Sequence, residues 1–142
     1  MKFSARHIAP LAGLAAILLA AGAQATEYNQ FQADKSAISF TYKQMNVPLE
    51  GGFKRFTGRI SFDPAKPSLA RAEIDIALAS IDTGSDEGND EVAGKLWFNT
   101  RQFPVARFVS ASIKPLGSNR FEVAGRMSIK GRTRDASTPA TY

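Results

Sequence analysis

The sequence has no cysteine and only one histidine, His7. Without cysteine there are no disulfide staples, no thiol nucleophile, no iron–sulfur cluster, no thiolate-bound zinc and no lipid-modified N-terminal cysteine. The histidine lies in a segment that reads as a removable leader. The rest of the chain therefore offers neither imidazole nor thiol, which excludes a Ser-His-Asp triad, a Cys-His dyad, His-ligated haem and most zinc sites. Tryptophan is reduced to Trp97, too little for the aromatic floor of a sugar groove, and nothing marks a carboxylate pair of glycosidase type. Long apolar runs are missing as well. The longest covers residues 8–23, is interrupted by Pro10, Gly13 and Gly22, and falls short of the ~20 residues that span a bilayer.

Charge of one sign is only mildly in excess, with 18 Lys+Arg against 13 Asp+Glu. Lys2 and Arg6 belong to the leader, and the remaining +3 does not make a nucleic-acid stripe. The leader itself is legible: Lys2 and Arg6 precede the apolar run, and Ala23-Gln24-Ala25 offers a small-x-small cleavage site. Residues 1–25 are read as a signal peptide cleaved after Ala25, which places the product in the periplasm. No twin-arginine pair is present, so export through the general route is expected. Residues 26–142 then form one domain.

That domain reads as strands. Ile38, Phe40 and Tyr42 alternate with Ser39, Thr41 and Lys43, the period of a half-buried strand. Residues 46–52, with Pro48 and the pair Gly51-Gly52, read as a turn. Phe56, Gly58, Ile60 and Phe62 alternate next, and Phe53 is out of phase with them, which predicts a bulge near Lys54 and Arg55. Ala72, Ile74, Ile76 and Leu78 face one way; Arg71, Glu73 and Asp75 face the other. Between residues 80 and 100 the alternation stops. Asp86, Glu87, Asp90 and Glu91 before Val92, Leu96, Trp97 and Phe98 predict a short helix ending near Asn99. Strands resume over residues 105–113, 121–129 and 133–142, with turns at residues 115–119 and at Lys130-Gly131.

Three features invite a function. The acids from Asp82 to Glu91 suggest calcium, but counting from Asp82 or from Asp86 fails to place oxygen ligands at positions 1, 3 and 5 and glycine at 6; a solvated loop and helix start fits better. Arg101, Arg107, Lys114, Arg120, Arg126, Lys130, Arg132 and Arg134 cluster late, either as the solvated face of strands or as an attraction for anionic headgroups. The aromatic load includes ten Phe. A sheet closing on itself turns one face inward, and that face is either a filled core or the wall of an apolar pocket. The inward set is Ile38, Phe40, Tyr42, Phe56, Ile60, Phe62, Ile74, Ile76, Leu78, Val123 and Met127, and with Trp97, Phe98 and Phe108 it makes up the candidate ligand-binding wall. A buried Tyr42 phenol needs a partner and could meet a ligand headgroup.

Several fragments then bear a family stamp: residues 53–64 (FKRFTGRISFDP), Ser80-Ile81-Asp82-Thr83-Gly84, Trp97-Phe98-Asn99 with Phe103-Pro104 and Phe108-Val109-Ser110, Val123-Ala124-Gly125, and Ile129-Lys130-Gly131. In this order behind a leader, the chain resembles the YceI-like family over nearly all of residues 26–142. The resemblance implies an all-β, antiparallel, lipocalin-like β-barrel of eight strands with a short helix. It implies an exported, non-enzymatic protein with no cofactor of its own, holding a polyisoprenoid such as an isoprenoid quinone or a polyprenyl lipid. It also implies a membrane b-type cytochrome as partner. Members of the family run further through a helical segment and closing strands, so a barrel lacking its C-terminal strands is expected. Against this stands the reading of the same barrel as a filled-core structural or protein-interaction module of the envelope.

Overall fold

The structure, a computed structural model, describes residues 27–142. The leader read over residues 1–25 and its cleavage site lie outside the described residues. The elements are β1 (Ile38–Gln44), β2 (Val47–Phe53), β3 (Phe56–Ser61), β4 (Arg71–Ala77), β5 (Ile81–Asp82), α1 (Asp86–Ala93), β6 (Val105–Gly117), β7 (Arg120–Ile129) and β8 (Arg132–Thr141). They form two antiparallel sheets, β1-β2-β5 and β3-β4-β6-β7-β8. The class is all-β, as the alternation requires. Among the described residues β1 pairs only with β2 and β8 only with β7, so the two sheets do not close into a continuous ring there.

The sheets meet at a corner. The bulge expected near Lys54 and Arg55 is where the chain leaves β2 and enters β3 in the other sheet. Lys54 N–H donates to the Ser80 carbonyl at 3.0 Å and Ala77 N–H to the Arg55 carbonyl at 3.0 Å. The buried Ser80 hydroxyl accepts from Arg55 N–H at 2.9 Å and donates to the Ala77 carbonyl at 2.7 Å. Backbone groups that a bend would orphan are thereby satisfied.

Register fixes the faces. Gly58, Ile74, Phe108 and Met127 form one row across β3, β4, β6 and β7, and Ile60, Ala72, Ser110 and Gly125 form the next. The opposite face carries Arg59, Glu73 and Arg107 with Asp75, joined by ion pairs. These pairs are solvent-exposed and contribute little to stability, but they hold the charged face outward, as expected of Glu73 and Asp75.

Four expectations are corrected. The turn over residues 46–52 shrinks to Met45-Asn46, with φ of 50° and 64°, and Pro48, Gly51 and Gly52 belong to β2. Proline is tolerated because β2 has a second neighbour, β5, only at Gly52 and Phe53, so the missing N–H at Pro48 faces no strand on that side. The turn over residues 115–119 shrinks to Ser118-Asn119, since β6 continues through Pro115 to Gly117 with a register shift at that point. The helix does not reach Asn99. It starts at the Ser85 cap, whose hydroxyl accepts from Gly88 N–H at 3.1 Å, and stops at Gly94. Asn99 lies beyond it in the left-handed region, φ 49°. Leu78, expected at a strand end, sits in a short 3₁₀ turn and is 2% exposed.

Candidate ligand-binding site

Buried apolar residues are few: Ala70, Leu78, Ile81 and Ala106. The aromatic inner face is otherwise half-exposed, because it borders a half-open cavity of about 1340 Å³. Small-molecule pockets usually measure about 300–1,000 Å³, so this one has room for a guest larger than most.

The cavity wall comes from both sheets and the helical loop. Phe40 and Tyr42 enter from β1 and Phe53 from the end of β2. Ile76, Ala106 and Met127 enter from the larger sheet, Leu78 from the 3₁₀ turn after β4, and Trp97 and Phe98 from the loop after α1. Phe53 is the pivot, 5.5 Å from the Phe40 ring and 6.3 Å from the Phe98 ring. Gly51, opposite Phe40 in the register, leaves room for that ring: a Cβ there would lie 2.5 Å from it. Gly125 does the same for Phe108, at 2.6 Å. Its place in phase with the apolar residues of β7 is thus a steric requirement.

Of the fourteen wall residues expected, the structure brings Phe40, Tyr42, Ile76, Leu78, Trp97, Phe98 and Met127 to the cavity. Ile38, Phe56, Ile60, Phe62, Ile74, Phe108 and Val123 do not line it. Phe56 packs edge-on against Phe31 at 6.0 Å, and the Phe31 ring lies over Gly58, so residues before β1 fill the inner face there. Phe62 belongs to an aromatic cluster at the far end, with Phe121 at 5.5 Å, Tyr142 at 5.2 Å and Tyr28 at 6.4 Å. Strand alternation identifies a face, but not what covers it. The residues missed include Phe53, hidden by the corner that broke its phase, Ile81 on the two-residue β5, and Ile129. They also include the polar rim of Lys43, Thr83, Ser85, Glu87, Asp90 and Glu91. The acids of α1 were the one available signal for that rim.

Tyr42 donates its hydroxyl to the Thr83 carbonyl at 2.6 Å. The partner that a buried phenol needs is thus supplied inside the protein. Asn89 reinforces this loop by accepting from both Thr83 N–H and the Thr83 hydroxyl, at 2.7 and 2.9 Å. Below the rim, Lys54 and Asp82 pair at 2.8 Å. Hydrogen bonding from Lys54, then from Gly84 N–H, holds the Asp82 carboxyl below the usual carboxylate range, and the same pairing raises Lys54. On the outer face Arg59 likewise lowers Glu73. Both polar clusters are explained by their pairing. Among the described residues no group of three His, Cys, Asp or Glu is placed to hold a metal.

Comparison with known proteins gives a consistent result. The family model described as YceI-like domain matches residues 30–142. A UPF0312 protein of Pseudomonas fluorescens is 31% identical over 144 residues, spanning 96% of this chain and 73% of the relative. A UPF0312 protein of Azotobacter vinelandii is 28% identical over 139 residues, with 96% and 72% covered. Among solved structures, Burkholderia cenocepacia BcnA superposes with a TM-score of 0.76 at 44% identity, over 79% of this chain and 70% of that one. The Campylobacter jejuni YCEI protein superposes with a TM-score of 0.63 at 20% identity, over 80% and 67%; at that identity it supports the fold alone.

Proposed function

Because the chain belongs to the YceI-like family, we propose that it is a non-enzymatic carrier, exported to the periplasm, that holds an isoprenoid lipid of quinone or polyprenyl type in its apolar interior. The observation that carries this reading is the cavity itself. Inward aromatics that could have met in a packed core, Phe40, Phe53 and Phe98 among them, instead border an open volume, with Gly51 making room for the Phe40 ring.

The energetics suit an isoprenoid tail. Each five-carbon unit buries several methylene-sized groups at about 0.8 kcal/mol apiece, so a few units exceed the ordering cost of binding without a strong polar anchor. The residues of the domain supply no imidazole or thiol for catalysis, and binding by shape needs neither. A membrane b-type cytochrome is the proposed partner to which a quinone cargo would pass.

Native mass spectrometry of protein recovered from the periplasm tests the reading. A bound isoprenoid, lost in Phe40→Asp and Ile76→Asp and kept in Lys114→Ala, is the expected result. Protein that arrives lipid-free and cannot be loaded with a quinone in detergent would favour a structural module of the envelope instead.

A further inference from the structure

The cavity is lined by α1 and the loop after it at one end of the molecule, and the exposed side chains beside that lining are unusual for a soluble surface. Met45 is 95% exposed, Leu96 90%, Trp97 56% and Val47 55%. They come from the β1–β2 hairpin and from the loop after α1, and both border the cavity: Lys43 and Gln44 of β1 on one side and Trp97 on the other line it. Soluble surfaces seldom gather large apolar side chains in this way without a partner.

Met45 adds an independent observation. It occupies the first position of a two-residue hairpin turn with φ of 50°, where Asn, Asp or Gly is favoured and a larger side chain costs conformational energy. A long apolar side chain placed there and left almost wholly in solvent gains nothing from folding. Such an outlier points to use at the surface.

The charges nearby indicate the kind of surface. Lys95 precedes Leu96 and Trp97. Lys130 donates its ammonium to the Lys95 carbonyl at 2.9 Å, which draws the β7–β8 turn, with Arg132 just beyond it, toward the same loop. Arg101 shares a shallow hollow with Lys95. Among the described residues none of these four cations has a carboxylate within salt-bridge distance; the ion pairs present involve Lys54, Arg59 and Arg107. Tryptophan beside lysine and arginine is the composition of a membrane–water boundary. The carboxylates on this side belong to α1: Asp86, Glu87, Asp90, which shares the hollow of Lys95 and Arg101, and Glu91, which accepts from the Trp97 indole N–H at 3.2 Å.

We infer that the open end docks on an anionic lipid bilayer, with Met45, Leu96 and Trp97 entering the headgroup region and Lys95, Arg101, Lys130 and Arg132 facing acidic phospholipids. The role this gives docking, passage of cargo between bilayer and cavity without crossing water, rests on the carrier reading; the docking itself does not. Because carboxylates of α1 lie at the same end, apolar insertion sets the affinity and salt weakens it only in part.

Vesicles separate the two ideas. The residues that the proposed cleavage after Ala25 leaves, 26–142, are the protein to use. They are mixed with vesicles of three parts phosphatidylcholine to one part phosphatidylglycerol, free of isoprenoid. The protein is expected to co-sediment. The emission of its single tryptophan should move to the blue and be quenched by acyl chains brominated near the headgroup. The double variant Met45→Asp, Leu96→Asp should weaken partition by about tenfold or more while keeping its circular dichroism spectrum and its retention of quinone in detergent. Leu69→Asp, in the short 3₁₀ turn before β4, and Leu116→Asp, near the end of β6, are exposed and outside the cavity lining and should leave partition unchanged. Wild-type protein that stays in the supernatant, or equal losses in both sets of variants, would overturn the docking inference. Quinone retained without vesicle binding would sink docking and leave the carrier standing; vesicle binding without quinone retention would do the reverse.

Discussion

The two ends of the molecule are built from the same alternating strands and finish differently. At the α1 end, Phe40, Phe53 and Phe98 stand around a cavity and the surrounding turns carry polar and exposed apolar side chains. At the far end, Phe62, Phe121, Tyr28 and Tyr142 pack on one another, and the Tyr142 hydroxyl donates to that of Tyr28 at 2.6 Å. Tyr28 reaches this cluster because it forms a two-way backbone bridge with Phe62. The difference does not lie in the strands. It lies in what crosses their ends: an extended segment with aromatic side chains at one, a capped helix and its loop at the other. A sealed end gives the sheets something to be stable around, and an open end leaves room for a guest.

The sharpest test of that contrast is Leu78→Ala. Among the described residues Leu78 is the one large side chain that is fully buried, and it lines the cavity. Its loss should cost about 3 kcal/mol, read as a shift in the urea unfolding midpoint. A cost below 1 kcal/mol would mean that the open end carries no share of the fold. Phe62→Ala should come next, at about 2 kcal/mol because the ring is only half-buried, with quinone retention unchanged. Loss of retention in this variant would break the division of labour between the ends. Ser85→Ala removes the helix cap and should cost about 1 kcal/mol. It should act locally, as faster amide exchange across α1 with little change at the far end.

Acid titration gives the smallest effect. Asp82 and Glu73 are held below the ordinary carboxylate range by Lys54 and Arg59. Between the lowered and ordinary values the unfolded chain binds more protons than the folded one. Their contribution is therefore complete above the ordinary carboxylate range and is lost as pH falls through it. Asp82→Asn should flatten the acid limb of a stability–pH curve slightly. An unchanged limb would show that solvent screens the pair entirely.

Much of this was legible in the residues. Strict alternation at Ala72, Ile74 and Ile76 identified β4 and its inner face, because a one-residue slip would bury Glu73 and Asp75. The acids before Val92 located α1 to within a few residues. The cavity was harder to read. Alternation placed Ile60 and Ile74 on one face, as the register does, but could not foresee that Phe31, outside any strand, would cover part of that face or that Ile60 would stay 38% exposed. Phe53 was hidden for the opposite reason: the corner at Lys54 and Arg55 shifts its phase relative to β3, so a residue central to the site looked like an irregularity. Pro48 and Pro115 misled because their cost depends on whether a neighbouring strand needs the missing N–H, and a single strand's sequence does not record its neighbours.

The glycines beneath the rings bear on how such a protein can diverge. Gly51 with Phe40, Gly58 with Phe31 and Gly125 with Phe108 each form a unit in which the smaller member exists for the larger. A side chain acquired at the glycine would collide with the ring, whereas loss of the ring alone would leave a hollow. Neither step is neutral by itself. Across descendants of this sequence each pair should change together or not at all, and the interior should drift in size by whole aromatic rings instead of by single methyl groups.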